Sequence, residues 1–359
     1  MPDVLLFGAT GYTGTLTAHA LARRGTSFAI AGRDRARLET LAADTEPAAI
    51  HVVSVGDTDA LVGALGDTGA LITCVGPFRE LGATAVDAAL KARVHYVDSA
   101  GEIDFIGELI DRYGSAARDA GIAMVPAAGF DEVPSDVALS LAVDGMSHAD
   151  AVVTYALPSA ASPGTIRTIL RGIGRSDASW ISDRRAVHVA TGSRARWAPM
   201  PPPLGPKHSV AMPLAEGVLA PLHLDLKSLE LYATARSGQA ALMKVGMPFA
   251  RAALAAGPLR RLAEQVLVRD EGPTEDVRRN DRWTILAEAR SPAGWRNVAL
   301  VGADPYGLTA ETLAAIAGNL AREGHEDAGV MSPVQAVGLQ ESQKELIDFG
   351  VDFQTWEGA

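Results

Sequence analysis

Over its first 125 residues the chain alternates short, almost wholly apolar runs with longer stretches whose apolar residues recur every three or four positions. Val4–Phe7, Ser27–Ala31, His51–Val55, Ala70–Val75, Val94–Val97 and Ile122–Val125 have the length and apolar continuity of strands buried on both faces. Helices are predicted between them at Gly14–Arg23, Arg35–Ala42, Thr58–Leu65, Leu81–Ala92 and Ile103–Ala120. Apolar strands separated by amphipathic helices indicate an α/β protein with a doubly wound parallel sheet, and ligands of such sheets sit at the C-terminal ends of the strands.

After Asp131 the pattern changes. One more helix, Val133–Val143, is followed by strand-like segments at Ala151–Leu157, Ala186–Ala190, Leu229–Thr234, Trp283–Ala289 and Asn297–Val301. Strand now follows strand, which predicts a C-terminal α+β domain with a largely antiparallel sheet. Gln239 to Val268 is strongly apolar and punctuated by Gly246, Pro248, Gly257 and Pro258, so two or three short helices are expected there. A core or interdomain layer is the preferred reading of that stretch, with a lipid-accommodating surface as the alternative. A late helix, Ala310–Arg322, is expected to return to the first sheet.

Composition narrows the function classes. The chain is 48% hydrophobic and 21% charged, a globular balance, and its net charge of −11 without any Lys/Arg-rich run argues against nucleic acid. The longest run free of polar side chains, Ala120 to Phe130, falls well short of the roughly 20 residues that span a bilayer. The start Met-Pro-Asp-Val lacks the pattern of a signal peptide and the single Cys74 cannot form an internal disulfide, so a cytoplasmic location is expected. The eight His residues show no metal-ligand spacing, and no metal is indicated.

The sharpest chemical signal is Val4-Leu-Leu-Phe-Gly8-Ala-Thr10-Gly11-Tyr12-Thr13-Gly14, running straight into a helix. Gly8 permits a tight turn, Gly11 lets a pyrophosphate approach the backbone, and Gly14 lets the helix pack close to the strand. Free amides at the helix start then bind the pyrophosphate, which makes residues 1–135 a Rossmann dinucleotide-binding domain. The glycine spacing is GxxGxxG, so the turn is expected to differ in detail from the NAD-binding form. The second strand ends Ala31-Gly32-Arg33 with no acid at its tip; Arg33, supported by Arg35, suits a 2′-phosphate and favours NADP over NAD, although Asp34 keeps NAD open.

Val75, Gly76, Pro77 and Phe78 are expected to form an extended turn at the height of a nicotinamide ring. Cys74 beside them reads as a small buried hydrophobe, because no positive neighbour is evident to activate it. Three acid or hydroxyl groups near the same sheet edge are the candidate catalytic residues: Tyr96 and Asp98, which could donate or relay a proton, and Asp131 at the exit from the first domain. Capping by Asp98 or Ser99, and by Asp131, is the competing reading. Glu102 fits either a relay or an acidic first-turn residue.

Taken together, Gly8–Gly14, Ala31–Arg33, Val75–Phe78, Tyr96–Asp98 with Gly101 and Glu102, Gly129–Asp131 with Val133–Asp136, and the late Gly302–Ala310 resemble the saccharopine dehydrogenase-like family, in the branch that includes trans-acting enoyl reductases. The resemblance implies a Rossmann domain at 1–135, an α+β substrate domain at 136–308, a C-terminal helix and tail at 309–359, and NAD(P)H-dependent reduction. It implies cofactor contacts at Gly8, Gly11, Gly14 and Arg33 and assigns no proton donor. Phe130-Asp131-Glu132-Val133 departs from the Gly-hydrophobic-x-Pro-Gly turn of true saccharopine reductases, which counts against lysine metabolism.

The resulting expectation is an NADP-dependent oxidoreductase reducing a C=C bond of an enoyl or acyl-type small molecule, or a C=N bond, in an interdomain cleft. The alternatives are an amino-acid imine reductase and a non-catalytic NADP-binding redox sensor. Peripheral membrane contact and a homodimer stay open.

Overall fold

The computed structural model describes residues 2–172, 178–235, 272–291, 294–322 and 325–358, with the single position 265. The apolar Gln239–Val268 stretch lies outside the described residues apart from that position. The chain divides into two compact units, Met1–Val133 with Tyr306–Glu345, and Pro134–Pro305 with Leu346–Ala359.

The first unit is built on a parallel sheet of β1 (Val4–Phe7), β2 (Phe28–Gly32), β3 (Ala49–Val52), β4 (Ala70–Thr73), β5 (His95–Asp98) and β6 (Ala123–Val125). A short strand, Gly329–Val330, joins at the β6 edge. The spatial order is Gly329–Val330, β6, β5, β4, β1, β2, β3. Val4 to Phe7, Phe28 to Gly32 and Ala70 to Thr73 are buried at every position, as strands covered by helices on both faces must be. The strand order reverses between β1 and β4, which is where a Rossmann sheet opens a crevice at its C-terminal edge. Helix α1 (Tyr12–Arg23) follows β1 directly.

Three local expectations change. The third strand closes at Val52 instead of Val55, and of the apolar residues there Val52 and Val55 are exposed while Val53 is buried. The helix expected over Ile103–Ala120 is interrupted by a π-helical turn at Leu109–Tyr113, after which the chain resumes as Gly114–Ala120. Helical structure after β4 begins at Phe78, ahead of Leu81, because the Glu102 carboxylate accepts from the Phe78 amide and caps the turn.

The second unit holds a mixed sheet in the order Ala195–Ala198, Lys207–Ala211, Leu226–Thr234, Ala149–Ala156, Arg282–Ser291, Gly294–Ala303, Asp352–Gly358. Its described pairings are antiparallel except that Leu226–Thr234 runs parallel to Ala149–Ala156. A hairpin of Ala178–Ser182 and Arg185–Val189 attaches through Leu229 and Ile181. The C-terminal segment is not one piece. Helix Pro305–Leu320 belongs to the first unit from Tyr306 onward, whereas Asp352–Gly358 pairs with Gly294–Ala303 in the second unit's sheet. Among the described residues, no helix is long and apolar enough to cross a membrane, and no cluster of three or more His, Cys, Asp or Glu could hold a metal ion.

The interior of the second unit contains a polar cluster. Tyr155 Oη donates to Glu216 Oε1 at 2.6 Å, Ser135 adds a second hydrogen bond to Glu216, and Asp136 lies near enough to repel its charge while pairing with His223 Nε2 at 2.8 Å. Glu216 and Asp136 are fully buried. Loss of hydration is the main cause that pushes the Glu216 carboxyl up to about 7, with Asp136 adding to the rise. A carboxyl raised in the folded state lends stability that is complete below its unfolded value and is lost as pH rises toward 7. Glu216→Gln, which keeps the acceptor oxygen and removes the charge, should therefore melt several degrees above the parent at about pH 8 and match it near about pH 4. Equal melting temperatures at both pH values, measured by circular dichroism, would contradict the assignment.

Candidate dinucleotide-binding site

The loop after β1 is shaped by three glycines with different duties. Gly8 has φ +83°, in the left-handed region, and a Cβ there would stand 2.7 Å from Val75 Cγ2. Its amide donates to the Ala31 carbonyl at 2.9 Å, and its own carbonyl accepts from the Gly11 amide at 3.0 Å, which closes the turn. Gly14 lies against that carbonyl so closely that a Cβ would be 2.2 Å from Gly8 O. Gly11 is the extended residue before α1 and places no side chain across its N-terminus. The first amides of a helix have no carbonyl partner within it, and the helix dipole adds positive potential there. The helix start, unobstructed at Gly11, fits the pyrophosphate of a dinucleotide, held by the backbone of Tyr12 and Thr13.

At the tip of β2, Gly32 leaves room beside Leu38 and Thr10, with the nearest atom to an added Cβ at 3.5 Å. Arg33 is exposed and, among the described residues, engages no acid. Arg35 pairs with Glu39 across one helical turn at 3.6 Å, both side chains exposed. Arg37 reaches back and donates to the Thr10 carbonyl at 2.7 Å, tying the β2 end to the glycine loop. Asp34 accepts from the Arg37 amide through Oδ1 and caps the helix. The acid nearest the β2 tip thus serves the helix, and the free guanidinium of Arg33 is the group suited to a 2′-phosphate.

The β4 end carries Val75, Gly76, Pro77 and Phe78, with a cis peptide between Gly76 and Pro77. Gly76 is exposed, Val75 and Pro77 are half-buried, and Phe78 is buried against Phe105 with ring centroids 5.7 Å apart. Cys74 sits behind this turn, where loss of hydration pushes its thiol up to about 12, outweighing hydrogen bonds with Thr17 and Ser99. That thiol is held neutral and is no nucleophile.

The β5 and β6 ends are joined by Asp98. Tyr96 and Asp98 lie two residues apart on one face of β5, both fully buried, and Tyr96 Oη donates to Asp98 Oδ2 at 2.7 Å. Asp98 Oδ1 accepts from the amides of Ala100 at 2.8 Å and Ala127 at 2.9 Å, and its carbonyl accepts from Ala128 at 2.7 Å. Ala127 has φ +54°, a strained conformation for a residue with a Cβ, and these bonds hold it there. Burial pushes Asp98 up to about 6 against the three hydrogen bonds, and pushes Tyr96 well above the usual phenol range. Neither side chain reaches the surface, so the pair braces two loops.

Asp131, by contrast, is exposed. Its Oδ2 lies where a Cβ on Gly101 would be 3.1 Å away, directly over the loop whose next residue, Glu102, accepts from the Phe78 amide. Crowding by the surrounding protein thins the hydration of Asp131 and raises its carboxyl to about 6. The structure thus brings Asp131, Glu102 and the Val75–Phe78 turn together at one sheet edge. Glu102 itself serves as a cap, a role visible in sequence only as an acid at the head of a helix.

These features define a dinucleotide-binding Rossmann domain. Residues 4–125, within the first unit, match the family model described as the saccharopine dehydrogenase NADP binding domain. The chain is 36% identical over 141 residues to a trans-acting enoyl reductase of Mycobacterium ulcerans (strain Agy99), covering 38% of this chain and 34% of that protein. It is 35% identical over 141 residues to a trans-acting enoyl reductase of Mycobacterium tuberculosis (strain ATCC 25618 / H37Rv), with the same shares covered. The matched stretch thus spans about a third of the length of these relatives. The solved structure of apo saccharopine dehydrogenase (L-Glu forming) from Saccharomyces cerevisiae aligns over 99% of this chain and 100% of that one, with a TM-score of 0.60 at 15% identity, and shares the fold.

Arg33→Ala should weaken NADPH binding about tenfold or more, the worth of charge-assisted hydrogen bonds to a phosphate, and leave NADH binding unchanged. Fluorescence titration of both cofactors measures it; an equal loss for both would assign Arg33 to something other than the 2′-phosphate.

Proposed function

We propose that the protein is an NADPH-dependent oxidoreductase that reduces a carbon–carbon double bond of an enoyl or acyl-type small molecule. The observation that carries this reading is the first unit itself: it matches an NADP-binding family model over residues 4–125, its glycine cradle puts no side chain across the α1 N-terminus, and its β2 tip presents Arg33 in place of an acid. The similarity to proteins named as enoyl reductases supports C=C over C=N. When bound, NADPH supplies a hydride to an electron-poor carbon.

The chain's own residues do the rest. The amides of Tyr12 and Thr13 and the guanidinium of Arg33 fix the two ends of the adenosine half of the cofactor. The Val75–Phe78 turn, held by Glu102, forms the wall at the nicotinamide end. Asp131 supplies the proton at the carbon next to the one that accepts hydride, since it is the acid at this edge that is both exposed and raised to about 6. Tyr96 and Asp98 act behind it by fixing the Ala127–Ala128 backbone that leads to Asp131.

Spectrophotometric NADPH oxidation against enoyl thioesters and cyclic imines tests the proposal. Turnover is expected with an enoyl thioester, and Asp131→Asn should slow it about a hundredfold, the usual range for loss of a general acid. The parent should also lose activity as pH rises above about 6, where Asp131 gives up its proton. Turnover confined to imines would replace the substrate class, and NADPH binding without oxidation of either class would favour a sensor.

A further inference from the structure

Helix α1 begins after Gly11, an N-cap residue that offers no side-chain acceptor. A cap would occupy the space that an anion needs, so the first turn must be held in place some other way. The structure supplies a contact from the far end of the sequence. Tyr12 and Tyr306 meet edge to face, with ring centroids 5.2 Å apart and an interplanar angle of 84°, and both rings are half-buried.

Tyr306 opens the Pro305–Leu320 helix, and two residues further along it grip a second loop of the same sheet edge. Thr309 Oγ1 accepts from the Phe130 amide at 3.0 Å, and its methyl group stands where a Cβ on Gly129 would be 2.6 Å away. Thr312 Oγ1 donates to the Ala128 carbonyl at 2.9 Å. Positions 306, 309 and 312 recur every three residues and so line one side of the helix. That side touches both the pyrophosphate loop and the loop leading to Asp131.

We propose that Tyr306 is a cofactor-positioning residue: its ring holds Tyr12, and thereby the first turn of α1, in the pose that receives the pyrophosphate. The inference rests on NADPH being the ligand of this site. Without the Tyr306 ring the first turn samples other arrangements, and ordering it on binding costs affinity. The cost falls on ligands that carry the pyrophosphate. A ligand that occupies only the Arg33 end is spared.

NADPH fluorescence titration of the full chain, with competition by 2′-AMP, which lacks the pyrophosphate, separates the possibilities. Tyr306→Ala should raise the NADPH dissociation constant about two- to tenfold, as expected for an edge-to-face aromatic pair, and leave the 2′-AMP inhibition constant unchanged. Tyr306→Phe, which keeps the ring, should restore the parent value. Unchanged NADPH affinity in Tyr306→Ala would overturn the proposal, as would a parallel loss for both ligands, which would report general damage to the domain. Failure of the parent protein to bind NADPH would remove the underlying reading and is seen before any variant is made.

Discussion

The site depends on one close approach, that of Gly14 to the carbonyl of Gly8. Any side chain at position 14 would collide with that oxygen, so the absence of a Cβ is what lets α1 sit flush on the end of β1. This seating aims the first amides of the helix at the crevice where the strand order reverses. The positive φ of Gly8 and the cap-free Gly11 complete the same geometry, and Arg37 ties it to the β2 end through the Thr10 carbonyl. A loop of seven residues thereby takes the geometry of an anion receptor without any positive side chain of its own.

Around that receptor, buried polar groups hold the loops and exposed ones remain for chemistry. Asp98 is fully buried, accepts from Tyr96, Ala100 and Ala127, and keeps Ala127 in a left-handed conformation. Glu102 holds Phe78, and Thr309 and Thr312 hold Phe130 and Ala128. Asp131 remains exposed above them, with a proton affinity that suits transfer near neutral pH. Sealed acids with satisfied hydrogen bonds are costly to disturb, which favours a rigid edge on which a mobile substrate can be placed.

The parts legible in the sequence are those whose determinants are local. The glycine turn, the following helix and the Arg33 tip lie within a single βαβ unit, and Tyr96 and Asp98 stand two residues apart, the spacing that puts two side chains on one face of a strand. What that spacing left open was whether the face was wet or dry, and the structure shows it dry. The Phe78–Glu102 bond, the grip of Thr309 on Phe130 and the Tyr12–Tyr306 contact join distant segments, and nothing in either partner's immediate sequence announces the other. In the second unit, Ala195–Ala198 presents an exposed Trp197 beside Arg196, too polar to stand out as a strand, and the parallel pairing of Ala149–Ala156 with Leu226–Thr234 is set by topology.

The central claim is that the α1 N-terminus receives the pyrophosphate of NADPH while Arg33 receives its 2′-phosphate. A crystal structure of the protein with NADPH bound tests it most directly. The account expects the pyrophosphate within hydrogen-bonding distance of the Tyr12 and Thr13 amides and the 2′-phosphate against the Arg33 guanidinium. A cofactor bound elsewhere, or one whose pyrophosphate lies away from the Gly8–Gly14 turn, would contradict it.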